Sequence, residues 1–275
     1  MRASGQGALV TSPWIAAAFA LFAWWFSTGA ILFAVRVADR ANRGTALTVL
    51  SLPVFALGVW GLSTTFHIET PMAATYAFLS ALAVWGWIEL AFLTGEITGP
   101  NTSPCPEGVP EWERFLRAWG TVAYHEILLT AALIAILWFG WGAPNAFGLW
   151  TFVVLYFARV SAKLNLYAGV PRINVEFLPA KLTHLQSHFR IAPMNWLYPV
   201  SITALTFATA CWLERLYAVS APADVTGFAL LAAITTLALL EHWLMVLPLP
   251  DAKLWRWMLP APKRQDTTRE MADGL

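Results

Sequence analysis

Seven side chains in this sequence combine metal-ligating or proton-transferring chemistry with an apolar setting: Glu89, His125, Glu126, His184, His188, Glu241 and His242. Glu89 sits in WIELAF, His125 and Glu126 in YHEILL, and Glu241 and His242 in LLEHWL, each within or at the edge of a long charge-free run. An ionisable group placed in lipid is costly, so each marks a candidate site, with helix packing through a buried hydrogen bond or ion pair as the competing explanation. His184 and His188, in LTHLQSH, are four residues apart and share a face if that segment is α-helical. Imidazole and carboxylate together suit iron, zinc or manganese, and a pair of irons needs about six such ligands. The set does not reproduce the Glu-x-x-His pairs of ferritin-like di-iron bundles. Three readings stay open: a metal or catalytic centre at the seven residues, structural pairing between helices, and ligation of a tetrapyrrole by one His. Whether the chain is an enzyme stays open with them.

The elements that must position these residues are membrane spans. The chain is 58% hydrophobic and 12% charged, against about a quarter charged in an ordinary soluble domain. Charge-free runs cover residues 3–35, 44–68, 70–88, 127–158 and 191–213, each reaching the roughly 18–20 residues that cross a bilayer as a helix. The pattern predicts an all-α transmembrane bundle of about seven spans, near 13–35, 44–62, 72–94, 119–139, 148–164, 196–216 and 225–247, forming one domain over 1–248 with a tail at 249–275. The apolar stretch from Trp14 to Val35 is longer than a secretory signal core, and Arg36, Arg40 and Arg43 follow it as a stop-transfer flank. Turn chemistry separates the spans at Ser63–Pro71, Gly99–Pro110, Gly140–Pro144 and Ser220–Pro222. Many of the 16 Trp lie near span ends, where indole favours the headgroup region.

Alternating the loops across the bilayer puts Arg2 and Arg215 on one side and the other fifteen of the 17 Lys and Arg on the other. By the positive-inside rule the second side is cytoplasmic, which gives an N-out, C-in topology. In this arrangement Glu89, the His125-Glu126 pair and the Glu241-His242 pair each lie about six residues from the cytoplasmic end of a span, hence at one depth for a rise of about 1.5 Å per residue. His67 and Glu69 fall on the opposite side, and Glu96 lies at the water boundary beyond Glu89. Arg159 and Lys163 are read as snorkelling to the headgroups, with Arg159 also able to balance a buried carboxylate. Cys105 and Cys211 form no metal-type spacing, and no basic run is dense enough for nucleic acid. No inverted repeat or pair of broken helices supports a transporter.

The 165–195 segment is the most distinctive connection, mixing Gly, Pro, Asn and aromatic residues with charge, and long structured loops are often functional. Two compatible readings apply: it folds back as a lid, or it forms an amphipathic interfacial helix around Pro179–Phe189 presenting Leu182, Leu185 and Phe189.

KLNLYAGVPRINVEFLP, the histidine pair of LTHLQSHFR and PMNWLYPVSIT carry a resemblance to the PuhE-type photosynthetic complex assembly proteins of purple phototrophic bacteria, with WIELAFLTGEITGP and the YHE of span four in support. The resemblance extends in length and hydropathy over nearly the whole chain. It implies a multi-pass protein of the bacterial inner membrane, cytoplasmic or intracytoplasmic, that serves assembly of the reaction centre–light-harvesting complex or adjusts its bacteriochlorophyll supply. Its partners would be the lipid bilayer, reaction-centre or light-harvesting subunits, and bacteriochlorophyll. It carries over no ligand set. The alternative is a membrane metal oxygenase or hydroxylase, with one or two irons, acting on a lipid-soluble tetrapyrrole or carotenoid precursor.

Overall fold

The computed structural model describes residues 12–173, 175 and 178–248, and the tail expected at 249–275 lies outside the described residues. The helices are α1 (Pro13–Arg40), α2 (Gly44–Leu50), α3 (Leu52–Thr65), α4 (Pro71–Leu93), α5 (Glu111–Phe139), α6 (Phe147–Ala168), α7 (Leu197–Ala218) and α8 (Pro222–Leu244), with a 3₁₀ segment at Ala180–His188. Among the described residues there is no β-strand, and Val170 and Ile191 form an isolated parallel bridge.

Among the described residues, six helical stretches are long and apolar enough to cross a membrane: Pro13–Arg40, Gly44–Thr65, Pro71–Leu93, Glu111–Phe139, Phe147–Ala168 and Pro222–Leu244. Gly44–Thr65 counts as one stretch although it breaks between α2 and α3 at Ser51. Pro53 supplies no amide to the ladder there, which is what splits the helix. The remaining long helix, α7, is less apolar and carries Glu214 and Arg215 near its end.

Local chemistry explains most of the boundaries. Pro13, Pro71 and Pro222 occupy first-turn positions, where a missing amide costs nothing. Thr70 caps α4 by accepting the Ala73 amide at 3.1 Å. α5 begins at Glu111, several residues before the apolar run predicted to open it, because Glu111 and Glu113 favour the positive end of the helix dipole. Asn42, at φ 51°, takes the left-handed conformation that turns α1 into α2.

The central helices are α4 and α8. Phe78, Val84, Trp85 and Ile88 of α4 meet Phe152 and Leu155 of α6, Leu230 and Ile234 of α8, and Ala16, Ala20 and Ala23 of α1. Small residues bring the backbones close, as membrane helices require in the absence of a hydrophobic drive between them. A Cβ on Gly58 would meet the Ser80 carbonyl at 2.9 Å, and one on Gly148 the Ala77 carbonyl at 3.0 Å. The outer faces of α1 and α5 expose Phe22, Phe26, Phe33, Ile127, Ile134 and Trp138, the surface expected against lipid.

Candidate functional site

The site begins where the 94–110 connection inserts into α5. The Thr98 carbonyl accepts the His125 amide at 3.0 Å, and the Asn101 amide donates to the Gly120 carbonyl at 3.1 Å. Gly99 packs against this stretch so closely that a Cβ there would lie 2.1 Å from the Gly120 carbonyl. The connection thus replaces part of the helix's own ladder and fixes the rotation of α5 at His125.

His125 is fully buried. Its Nδ1 lies 3.0 Å from the Lys163 ammonium and 3.4 Å from Glu126 Oε1, and its Nε2 lies 3.6 Å from Glu89 Oε1. A protonated Lys163 makes Nδ1 the acceptor, so the Nε2–H tautomer points its proton at Glu89. Lys163 also pairs with Glu126, and Arg159 Nη2 donates to Glu89 Oε2 at 2.9 Å. Phe92 covers the imidazole with ring centroids 4.6 Å apart. Two carboxylates and two cations therefore interlock around one histidine, across α4, α5 and α6.

The sequence reading of both cations as snorkelling does not hold, since the structure turns Arg159 and Lys163 inward; its alternative for Arg159, balancing a buried carboxylate, matches the pair with Glu89. They are four apart on α6 and so share a face, which meets Glu89 on α4 and Glu126 on α5.

The other predicted residues take separate places. His242 is 2% exposed; its Nδ1 donates to the Ala238 carbonyl at 2.8 Å and its Nε2 lies 3.0 Å from Ser161 Oγ, so it ties α8 to α6. Glu241 accepts the Trp24 Nε1–H at 2.9 Å from α1. His184 and His188 do not share a face, because their segment is 3₁₀ rather than α-helical. With about three residues per turn, positions three apart align, and Leu182, Leu185 and His188 are the buried row while His184 is half-buried. His188 Nε2 lies 3.3 Å from the Ser103 carbonyl. Burial pushes both imidazoles below the ordinary histidine value. Among the described residues no three His, Cys, Asp or Glu side chains converge to hold a metal ion.

Glu96 also has a defined role. Its carboxylate accepts from Lys181 Nζ at 3.0 Å and Thr45 Oγ1 at 2.9 Å, clamping the 3₁₀ segment to the bundle. The Lys181 hydrogen bond holds its carboxyl below the usual range. Arg114 fastens the other end, donating to the Tyr167 carbonyl at 2.9 Å and the His188 carbonyl at 3.1 Å. The described parts of the 170–196 connection therefore fold back over the ends of α5 and α6.

Under it lies a cleft of about 900 Å³ between α5 and α6. Its walls include Phe115, Trp119, Ile127, Ile134 and Leu164, its roof Leu178, Leu185 and His188, and its floor Glu126, Lys163, Arg159 and Glu241. Ile127, Ile134 and Trp119 are exposed, so the cleft opens toward lipid. A smaller cavity of about 260 Å³ adjoins it beside α1 and α8, and Arg159 and Glu241 line both.

Comparison with known proteins adds the following. The family described as "Protein of unknown function (DUF3623)" matches residues 10–266. A curated relative from Rhodobacter capsulatus, named "Uncharacterized 30.4 kDa protein in puhA 5'region", is 53% identical over 254 residues, covering 92% of this chain and 93% of its own. No solved structure matches.

Proposed function

The chain belongs to the DUF3623 family, and on that premise we propose that it is a multi-pass inner-membrane factor that holds a chlorin pigment for assembly or supply of the photosynthetic reaction centre–light-harvesting complex. The observation that carries this reading is the lipid-facing cleft between α5 and α6. Its volume of about 900 Å³ lies near the top of the range for small-molecule sites, and its lining is mainly aromatic and aliphatic with a few polar groups among them. A flat, apolar ring system with polar substituents fits that lining. The relative's printed name places it beside puhA, in agreement with the PuhE-type resemblance of the sequence. In the proposed topology α7 is counted as a seventh span, the N-terminus is outside, and the charged floor lies toward the cytoplasm.

The test is reconstitution. The full chain purified in detergent is titrated with a magnesium chlorin, and binding is read as a shifted absorption band and quenched Trp fluorescence; deletion of the gene is expected to lower or misregulate complex levels. Absence of binding together with unchanged complex levels overturns the proposal.

A metal centre at the seven sequence-predicted residues is the competing reading. The ion pairs weigh against it, since a metal at Glu89 and Glu126 has to displace Arg159 and Lys163. Near-stoichiometric iron in anaerobically purified protein, lost in a His184→Ala, His188→Ala variant, would turn the assignment to a membrane oxygenase.

A further inference from the structure

Of the histidines, His188 alone lines the lipid-facing cleft, at its roof, and His242 is the one beside the smaller cavity. The two differ in what their rings have left to offer. His242 engages both nitrogens, with the Ala238 carbonyl and the Ser161 hydroxyl. His188 engages one, its Nε2, which lies 3.3 Å from the Ser103 carbonyl. A carbonyl oxygen only accepts, so Nε2 carries the proton and Nδ1 keeps its lone pair. That lone pair is buried and has no hydrogen-bond partner among the described residues. Buried acceptors are nearly always satisfied, so an orphan lone pair on a cavity wall calls for a ligand or a structural reason. Histidine ligands to metals commonly donate their second N–H to a backbone carbonyl, as Nε2 does here, which fixes the tautomer and makes the other nitrogen more basic.

We propose that His188 Nδ1 is the axial ligand to the magnesium of a chlorin held in the cleft. This rests on the pigment reading of the cleft and adds the atom that recognises the metal. The ring's own nitrogens supply the equatorial ligands, so one protein side chain completes the site and no cluster of histidines and carboxylates is required. Other donors on the cleft wall are engaged elsewhere: Glu126 with Lys163, Tyr156 with Thr130, and Glu241 with the Trp24 indole. Nδ1 is closed to water as the roof stands, so a ring reaches it by displacing the roof. The roof is fastened by Lys181 to Glu96 and by Arg114 to the His188 carbonyl, and neither bond involves the imidazole.

The experiment titrates the purified full chain in detergent with a magnesium chlorin and with the same ring freed of its metal, so that the two ligands share shape and periphery. The magnesium ring is expected to bind on the order of tenfold tighter, since only it gives the buried lone pair a partner. His188→Phe keeps a planar ring at the roof without either nitrogen and is expected to bind the two chlorins equally; His188→Leu repeats the measurement with a side chain of another shape. The ratio of the two affinities is the readout, because a roof that is merely loosened weakens both ligands alike. Glu241→Gln is expected to keep the preference. Equal binding of the two rings by the unaltered chain, a preference that survives in both His188 variants, or one lost in Glu241→Gln overturns the ligation while the pigment reading stands. If neither ring binds the unaltered chain, the pigment reading fails and the ligation with it.

Discussion

Lys163 is the residue on which the charged cluster turns, since it meets Glu126, His125 and the Phe92 ring together. Removing one member of a buried pair strands the other, at a cost of about 3–5 kcal/mol, whereas replacing both with apolar groups is often nearly neutral. Lys163→Met is therefore expected to lower stability by about 3 kcal/mol, and Lys163→Met with Glu126→Leu to regain most of it. Unfolding in mixed detergent micelles reads both, and a double variant no better than the single one would count against the pairing. The 3₁₀ segment offers a pH test. His184 and His188 bind protons less readily when folded, so the segment is at full strength above the ordinary histidine value near 6.5 and weakens as pH falls below it. Glu96 adds a lower step, because stability from its depressed carboxyl is present above about 4.5 and lost as pH falls through its folded value. Hydrogen exchange of the 180–189 amides, corrected for intrinsic rate, is expected to rise in two stages, the upper reduced in His188→Leu and the lower lost in Lys181→Met. A flat profile contradicts both assignments.

At the scale of elements, the 94–110 connection acts as a part of α5. Gly99→Ala places a methyl against the Gly120 carbonyl, an overpacking expected to cost about 1–3 kcal/mol and to speed exchange of the His125 amide as Thr98 withdraws. Unchanged exchange at His125 would show that α5 holds its rotation unaided. Comparing residues with their predicted places shows which signals the sequence carries. Glu89, His125 and Glu126 do meet, because depth along a span can be counted from its apolar limits. The sequence leaves Arg159 open between snorkelling and balancing a buried carboxylate and favours snorkelling for Lys163, since depth alone does not say whether a long side chain turns outward or toward a neighbour. Their four-residue spacing was the available signal, and it needed the facing acids of two other helices to be decisive. The His184–His188 pairing assumed an α-helical period, and local sequence does not separate that from the three-residue period that buries Leu182, Leu185 and His188. Glu241 and His242 share a depth with the cluster but point to different neighbours, as adjacent positions on a helix must.

For the whole molecule, the positive-inside pattern makes the orientation testable. In a Cys105→Ser, Cys211→Ser background, a membrane-impermeant maleimide added to spheroplasts is expected to label His67→Cys and to leave Gln186→Cys unlabelled until the membrane is opened. The reverse pattern would invert the topology and move the cleft floor to the outer half of the bilayer. Six of the seven predicted spans coincide with helices long and apolar enough to cross a membrane, and α7 falls short because its polar C-terminal turns dilute its apolar run.

The interlocked pairs join α4, α5 and α6 side by side rather than end to end. In a bundle that crosses the bilayer, a proton or cation shifting among Glu89, His125, Glu126, Arg159 and Lys163 moves along the plane of the membrane. Electrical work depends on displacement along the normal, at about 2.3 kcal/mol per charge for a full crossing at 100 mV, and a lateral shift covers almost none of that path. A proton can therefore pass among Glu89, His125 and Glu126 in an energised membrane with little bias from the transmembrane voltage, whereas its exchange with bulk water moves along the normal and is biased.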